Sequence, residues 1–193
     1  QMKFPTAFVD HVTYDVTMPF NRMMAGPVDY TQGAMHNASR ENFRAIHDEP
    51  MSQGTRCRQL AEYIVFDSPL NMLCDSPSSY EREHECTSFI AGIPTVWDHT
   101  TVLCGKVSEY IATARQKGNI WYVGAMTNWE ECTIEIDLSF LGAGDFKAEI
   151  FRDGVNAYRY ARDYKKELIE IPANRKLKVW MVPGGGFAAR IYQ

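Results

Sequence analysis

The chain has 193 residues, 45% hydrophobic and 23% charged, with a formal net charge of -4, and this ordinary globular usage permits a buried core and excludes a disordered tail. An acidic balance excludes a broad phosphate-tracking surface, so nucleic acid is not an expected partner. No apolar run reaches the roughly 20 residues that a membrane-spanning helix needs, and residues 1–10 lack a basic stretch leading into an apolar one.

In chain order, residues 15–25 read as a helix with Pro19 near its first turn, and Asp15 is expected at its amino cap. Gly26-Pro27-Val28-Asp29-Tyr30 reads as a short extended segment leading into a long polar loop. Within 55–66, Cys57, Leu60, Ala61, Ile64 and Val65 form the stripe of a one-sided helix, which Ser68-Pro69 ends. A short apolar piece, 70–74, follows. The segment 80–91 opens on Glu81, Glu83 and Glu85, acids suited to a helix amino terminus, and Gly92 and Pro94 stop it. A lone strand among helices leaves backbone groups unpaired at both edges. Its partner strands are therefore expected in polypeptide outside this sequence, with the chain a piece of a larger protein.

The character changes near Ile93-Pro94. From there, period-2 runs alternate with Gly, Asn and Pro turns. Ile134, Ile136, Leu138 and Phe140 alternate with Thr133, Glu135, Asp137 and Ser139, the pattern of a strand with one wet face. Runs at 96–104, 110–115, 119–126, 146–150, 167–171, 177–181 and 187–191 bring the total to about eight strands, enough for two packed antiparallel sheets. The expected fold is α/β then all-β, with residues 1–93 as one part and residues 94–193 as an antiparallel β-sandwich.

The densest polar and aromatic cluster lies early and includes His11, Tyr14, Asp15, Arg22, Asp29, Tyr30 and His36. If the extended segment is a barrel strand, Asp29 and Tyr30 near its carboxyl end point into the site; a loop cap and a packed ring suit them equally well. Glu81, His84 and Glu85 read as a solvated first turn rather than a metal site. The five cysteines lack zinc-ligand spacing, and most read as buried free thiols. Trp121 and Tyr122 fall on opposite strand faces, so one is expected in the core. Trp129, Tyr158 and Tyr160 could stack sugars or fill the core, and packing is the better reading. There is no G-x-S-x-G nucleophile elbow, and the Gly184-Gly185-Gly186 run reads as a turn between strands, not a phosphate loop.

The run Met18-Pro19-Phe20-Asn21-Arg22-Met23-Met24-Ala25-Gly26-Pro27-Val28-Asp29-Tyr30-Thr31-Gln32-Gly33-Ala34-Met35 resembles a signature of glycoside hydrolase family 97, and similarity continues through Arg58 to Pro69 and from Ala114 to Asn128. The resemblance implies a carbohydrate-cleaving enzyme with an amino-terminal sandwich, a (β/α)8 barrel and a carboxy-terminal sandwich. It assigns Pro27–Tyr30 to the last barrel strand, so residues 1–93 would be the terminal part of that barrel. It also implies cleavage of terminal α-linked galactose or glucose by paired carboxylates, with calcium as cofactor, and with catalytic acids and calcium ligands mostly preceding Gln1. Substrate-binding roles for His11, Asp15, Asp29 and Tyr30, an oligosaccharide or glycoside substrate, contact with the remainder of the parent chain, and a periplasmic or secreted location complete what it implies. Val12-Thr13-Tyr14 stands where inverting members carry Pro-Glu-His, which favours a retaining α-galactosidase over an inverting α-glucosidase. The competing reading is a non-catalytic sugar-binding or structural β-sandwich module.

Overall fold

The computed structural model describes residues 9–193. Helix α1 (His11–Asn21) runs into a 3-10 turn (Arg22–Ala25). Strand β1 (Tyr30–Gln32) follows, then the two-residue strands β2 (Asn37–Ala38) and β3 (Ser52–Gln53) and helix α2 (Arg56–Val65). Strand β4 (Asn71–Leu73) and helices α3 (Pro77–Arg82) and α4 (His84–Ala91) complete this part.

β1 and β4 pair in parallel, Tyr30 opposite Asn71 and Gln32 opposite Leu73, with α2 in the crossover between them. Two expectations are corrected here. The short apolar piece at 70–74 supplies a partner strand, so β1 is not alone, and Pro27–Tyr30 is not the last strand of the parallel arrangement. Only three residues of each strand form the ladder, which is why the piece does not stand out by periodicity.

α1 starts at His11, four residues before the expected Asp15. The cap is Asp10, whose carboxylate accepts the Thr13 backbone N–H at 3.0 Å and the Thr13 hydroxyl at 2.7 Å. Asp15 instead lies inside the helix and is buried. Because the true cap precedes it, His11 and Asp15 fall four apart on one helical face. The segment expected as one helix at 80–91 is two, broken at Glu83, which closes α3 and opens α4.

The carboxy-terminal part is made of β5 (His99–Lys106), β6 (Tyr110–Lys117), β7 (Ile120–Thr127), β8 (Cys132–Asp137), β9 (Lys147–Asp153), β10 (Tyr164–Glu170), β11 (Lys176–Met181) and β12 (Gly186–Tyr192). These correspond to the eight runs that alternation predicts, except that the run expected through Phe140 ends at Asp137 and Ser139–Leu141 forms a 3-10 turn. Six form one antiparallel sheet in the order β10-β9-β12-β7-β6-β5, and β8 and β11 form a separate two-stranded ribbon. Ile134, Ile136 and Val179 of the ribbon meet Val123, Ile150, Phe187 and Ile191 of the sheet in one apolar core.

α2 covers the other face of the large sheet. Leu60 and Ile64 pack with Tyr122, Phe151 and Ala188, while Ala61 and Val65 pack with Ile111, Met126 and α1 residues Val16 and Met18. Every residue of α2 is buried, so the one-sided helix expected from its stripe is corrected: structure lies on all its faces. Close approach requires glycine in the facing strands. A Cβ on Gly124 would stand 2.9 Å from the Ala61 carbonyl oxygen, and one on Gly186 would stand 2.5 Å from the Arg58 Cα. For the same reason Trp121 and Tyr122 are both buried. Trp121 lies between sheet and ribbon and Tyr122 lies on the helix side, where its hydroxyl donates to the Gly92 carbonyl at 2.9 Å.

All five cysteines are free thiols, with Cys57 and Cys86 buried and Cys74, Cys104 and Cys132 half-buried, so fewer are fully buried than expected.

Candidate functional site

A cavity of about 560 Å³ opens at one end of the parallel pair. Its lining includes Ala34 and Cys74, just beyond the carboxyl ends of β1 and β4, together with His11 at the amino end of α1 and Gln53 just before α2. Sheets crossed by helices bind ligands at this end, where loops gather and helix amino termini point. The 43–53 loop forms the outer wall through Phe43, Ile46, His47 and Met51. Asn37 holds the base of that loop: its side-chain amide donates to the Ala34 carbonyl at 2.8 Å, and its carbonyl oxygen accepts from buried Arg56 at 2.6 Å.

The polar floor is made by Asp15, Tyr30, Gln59 and Glu62. The Tyr30 hydroxyl donates to Asp15 Oδ1 at 2.5 Å. Behind them lies the guanidinium of Arg58, 0% exposed, 3.4 Å from Asp15 Oδ2 and 3.4 Å from Glu62 Oε1. Arg58 is held by the carbonyls of Thr127 at 2.8 Å and Val12 at 2.7 Å, so α2 ties α1 to β7 through one side chain. Gln59 Nε2 donates to both Glu62 oxygens at 3.0 Å, while its Oε1 accepts the backbone N–H groups of Gly33 at 2.9 Å and Ala34 at 3.0 Å.

One buried cation faces two buried carboxyl groups. Burial raises Glu62 well above the carboxylate range, the neighbouring Asp15 raises it further, and Arg58 opposes both. Burial also raises Asp15, against the pull of Arg58 and the Tyr30 hydrogen bond. Burial thus pushes both acids of the pair toward their protonated forms, and Arg58 pulls both back. Burial, and then the Asp15 charge, push the Tyr30 phenol well above its ordinary value, so it stays a donor. The floor brings together two carboxyl groups, a phenol and a primary amide, groups of the kind that exchange hydrogen bonds with hydroxyl-bearing ligands.

Of the residues singled out from sequence, the structure brings His11, Asp15 and Tyr30 together around the cavity. Asp29 is exposed and outside the lining. β1 begins only at Tyr30, so Asp29 precedes the strand, and Asp29 and Tyr30 stand at its amino end, not near the carboxyl end as expected; Val28 and Tyr30 pack with Ala61 and Val65 of α2. Sequence reasoning missed Arg58, Gln59 and Glu62. Their signal was available, since Arg58, Gln59 and Glu62, together with Arg56, are long polar side chains set among the apolar residues of α2.

Trp129 is engaged: its indole N–H donates to Asp10 Oδ1 at 2.9 Å, and the Arg40 guanidinium lies over its ring. Tyr158 and Tyr160 are exposed rather than packed in the core.

Calcium takes six to eight oxygen ligands. Among the described residues no three His, Cys, Asp or Glu side chains gather as a cation site. Asp15 and Glu62 spend their oxygens on Tyr30, Arg58 and Gln59, and the guanidinium between them repels a second cation. These residues do not fit a calcium cage.

The family description "Glycosyl-hydrolase 97 C-terminal, oligomerisation" matches residues 96–192. A retaining alpha-galactosidase of Bacteroides thetaiotaomicron is 60% identical over 191 residues, which cover 99% of this chain and 29% of the relative. A probable retaining alpha-galactosidase of Streptomyces bingchenggensis is 28% identical over 173 residues, 90% of this chain and 25% of that protein. The structure of a glycoside hydrolase family 97 enzyme from a Pseudoalteromonas strain, in complex with panose, superposes with a TM-score of 0.84 at 33% identity, covering 94% of this chain and 28% of that one. A beta-arabinopyranosidase at 20% identity and a TM-score of 0.78 shares the fold. The chain therefore spans between a quarter and a third of the length of these relatives.

Proposed function

Because the chain belongs to glycoside hydrolase family 97, we propose that it is the carboxy-terminal segment of a retaining α-galactosidase that releases terminal α-linked galactose. The observation that carries the reading is the 60% identity, sustained over 99% of the chain, with a retaining alpha-galactosidase. Residues 1–93 are read as the end of the enzyme's (β/α)8 barrel and residues 94–193 as its terminal sandwich. The parallel β1–α2–β4 unit supports this, since it is the repeating element of such barrels.

Retention requires two carboxyl groups about 5–5.5 Å apart, one attacking the anomeric carbon and the other protonating the leaving oxygen, then activating water. We assign neither role to a residue described here. Glu62 and Asp15 are tied into the Arg58 network and serve to shape and bind. His11, Asp15 and Tyr30 are read as substrate-binding through the cavity, and Asp29 as a substrate contact from the exposed segment just before β1. Calcium is kept as a cofactor of the whole enzyme, with its ligands outside these residues. A periplasmic or secreted location belongs to the same proposal.

The test uses the full-length enzyme. Nuclear magnetic resonance of early hydrolysis of an aryl α-galactoside should show α-galactose forming first, with much slower turnover of the α-glucoside. Prior appearance of the β-anomer, or preference for the glucoside, would overturn the reading. Residues 1–193 alone should cleave neither substrate.

A further inference from the structure

A crossover helix runs opposite to the parallel strands it joins, so the amino end of α2 lies beside the carboxyl ends of β1 and β4. One loop of the large sheet reaches the same end. This is the 154–163 turn between β9 and β10. The Arg56 backbone N–H at the start of α2 donates to the Ala161 carbonyl at 2.7 Å, and Asn42 Nδ2 donates to the Arg159 carbonyl at 3.0 Å. Asn42 immediately precedes the 43–53 wall of the cavity. The turn is therefore a neighbour of the cavity rim, although it belongs to a different layer of the fold.

Its backbone is fixed. Gly154 N–H donates to the Asp163 carbonyl at 3.0 Å, Asn156 N–H to Asp163 Oδ2 at 2.9 Å, and Tyr160 N–H to the Asn156 carbonyl at 2.8 Å. Ala157 and Ala161 are sunk into the protein, 1% and 3% exposed, yet Tyr158 and Tyr160 between them are 51% and 70% exposed. Two rings held on a rigid turn present apolar faces and phenolic hydroxyls at little ordering cost, the combination that suits a polyhydroxylated ring with C–H faces.

We propose that Tyr158 and Tyr160 form an outer contact for the leaving-group side of a longer oligosaccharide whose terminal sugar enters the cavity. This rests on the glycosidase reading above. In the full-length enzyme, Tyr158→Ala and Tyr160→Ala should each raise KM about three- to tenfold for a galactose-terminated tetrasaccharide. Both should leave kcat, and all constants for a one-sugar aryl α-galactoside, unchanged. Tyr160→Trp, which keeps the ring, should retain tetrasaccharide KM within about twofold. Equal losses on both substrates, an unmoved tetrasaccharide KM, or a changed oligomeric state by light scattering would overturn the inference. Wild-type enzyme that cleaves neither substrate refutes the glycosidase reading and this inference with it, whereas an active wild type with unmoved variants refutes this inference alone.

Discussion

Arg58→Met should destabilise the full-length protein by about 4 kcal/mol at pH 8, because removing one partner of a buried charged cluster costs about 3–5 kcal/mol. The side chain is 0% exposed and lies 3.4 Å from both Asp15 and Glu62, while supporting the Thr127 and Val12 carbonyls. Met fills much of the volume but leaves both carbonyls and both acids without their cation. The loss must also depend on pH. Burial raises Asp15 and Glu62 in the folded state, so their protonated forms favour the fold below the ordinary carboxylate range. That contribution is lost as pH climbs through the folded values, because the unfolded chain has already released its protons. Without Arg58 both groups rise further, so the penalty should be smaller at pH 5 than at pH 8. Urea unfolding at the two pH values measures this, and a loss below about 1 kcal/mol, or one equal at both, would refute the assignment of Arg58 as counter-charge.

Tyr30→Phe removes the hydroxyl donated to buried Asp15 at 2.5 Å and should cost about 1.5–3 kcal/mol by urea unfolding. Gly186→Ala drives a Cβ to 2.5 Å from the Arg58 Cα and should cost about 1–3 kcal/mol through overpacking. Gly142→Ala, at φ 74 and ψ -160 with nothing within 4 Å, should cost only its backbone strain of about 1–3 kcal/mol, with its melting curve otherwise unchanged. Asp153, fully buried and pushed up to about 7 by burial, contributes stability below pH 4 that is lost as pH rises to about 7. Asp153→Asn should flatten the melting temperature between pH 5 and 8, and an unaltered slope would show that another group sets it.

The eight carboxy-terminal strands were legible because each side chain reports its face every second residue, and the ribbon keeps that contrast: Ile134 and Ile136 point in, while Thr133 and Glu135 point out. Strands covered on both faces lose the contrast, and so Trp121 and Tyr122 could not be sorted from sequence. α2 misled for a related reason. Arg56, Arg58 and Glu62 look like a wet face, yet their charges are satisfied by Asn37, Glu83, Asp15 and backbone carbonyls far away in the chain. Long-range pairing of that kind leaves no local trace. The site was partly legible through the clustering of His11, Asp15 and Tyr30, but a three-residue strand whose partner lies 41 positions onward gives no period to read.

What joins the cavity to the sheet is α2 itself. Its amino end, capped by Thr55, meets Asp153, whose carboxylate accepts the Thr55 hydroxyl at 2.7 Å and the N–H groups of Val182 at 3.2 Å and Gly186 at 3.1 Å. Further along, Arg58 and Glu62 form the back of the cavity floor. At the far end, Arg115 of β6 donates to the Ile64 carbonyl at 2.6 Å and the Val65 carbonyl at 3.1 Å. A helix buried on all sides and pinned at both ends to sheet strands cannot shift by half an ångström without moving the floor residues it carries. The sheet therefore acts on the site through position alone. Substitutions at Gly124 or Gly186, which touch no cavity residue other than through α2, should alter ligand binding at the cavity as well as stability, and the two effects should scale together across a series of larger side chains.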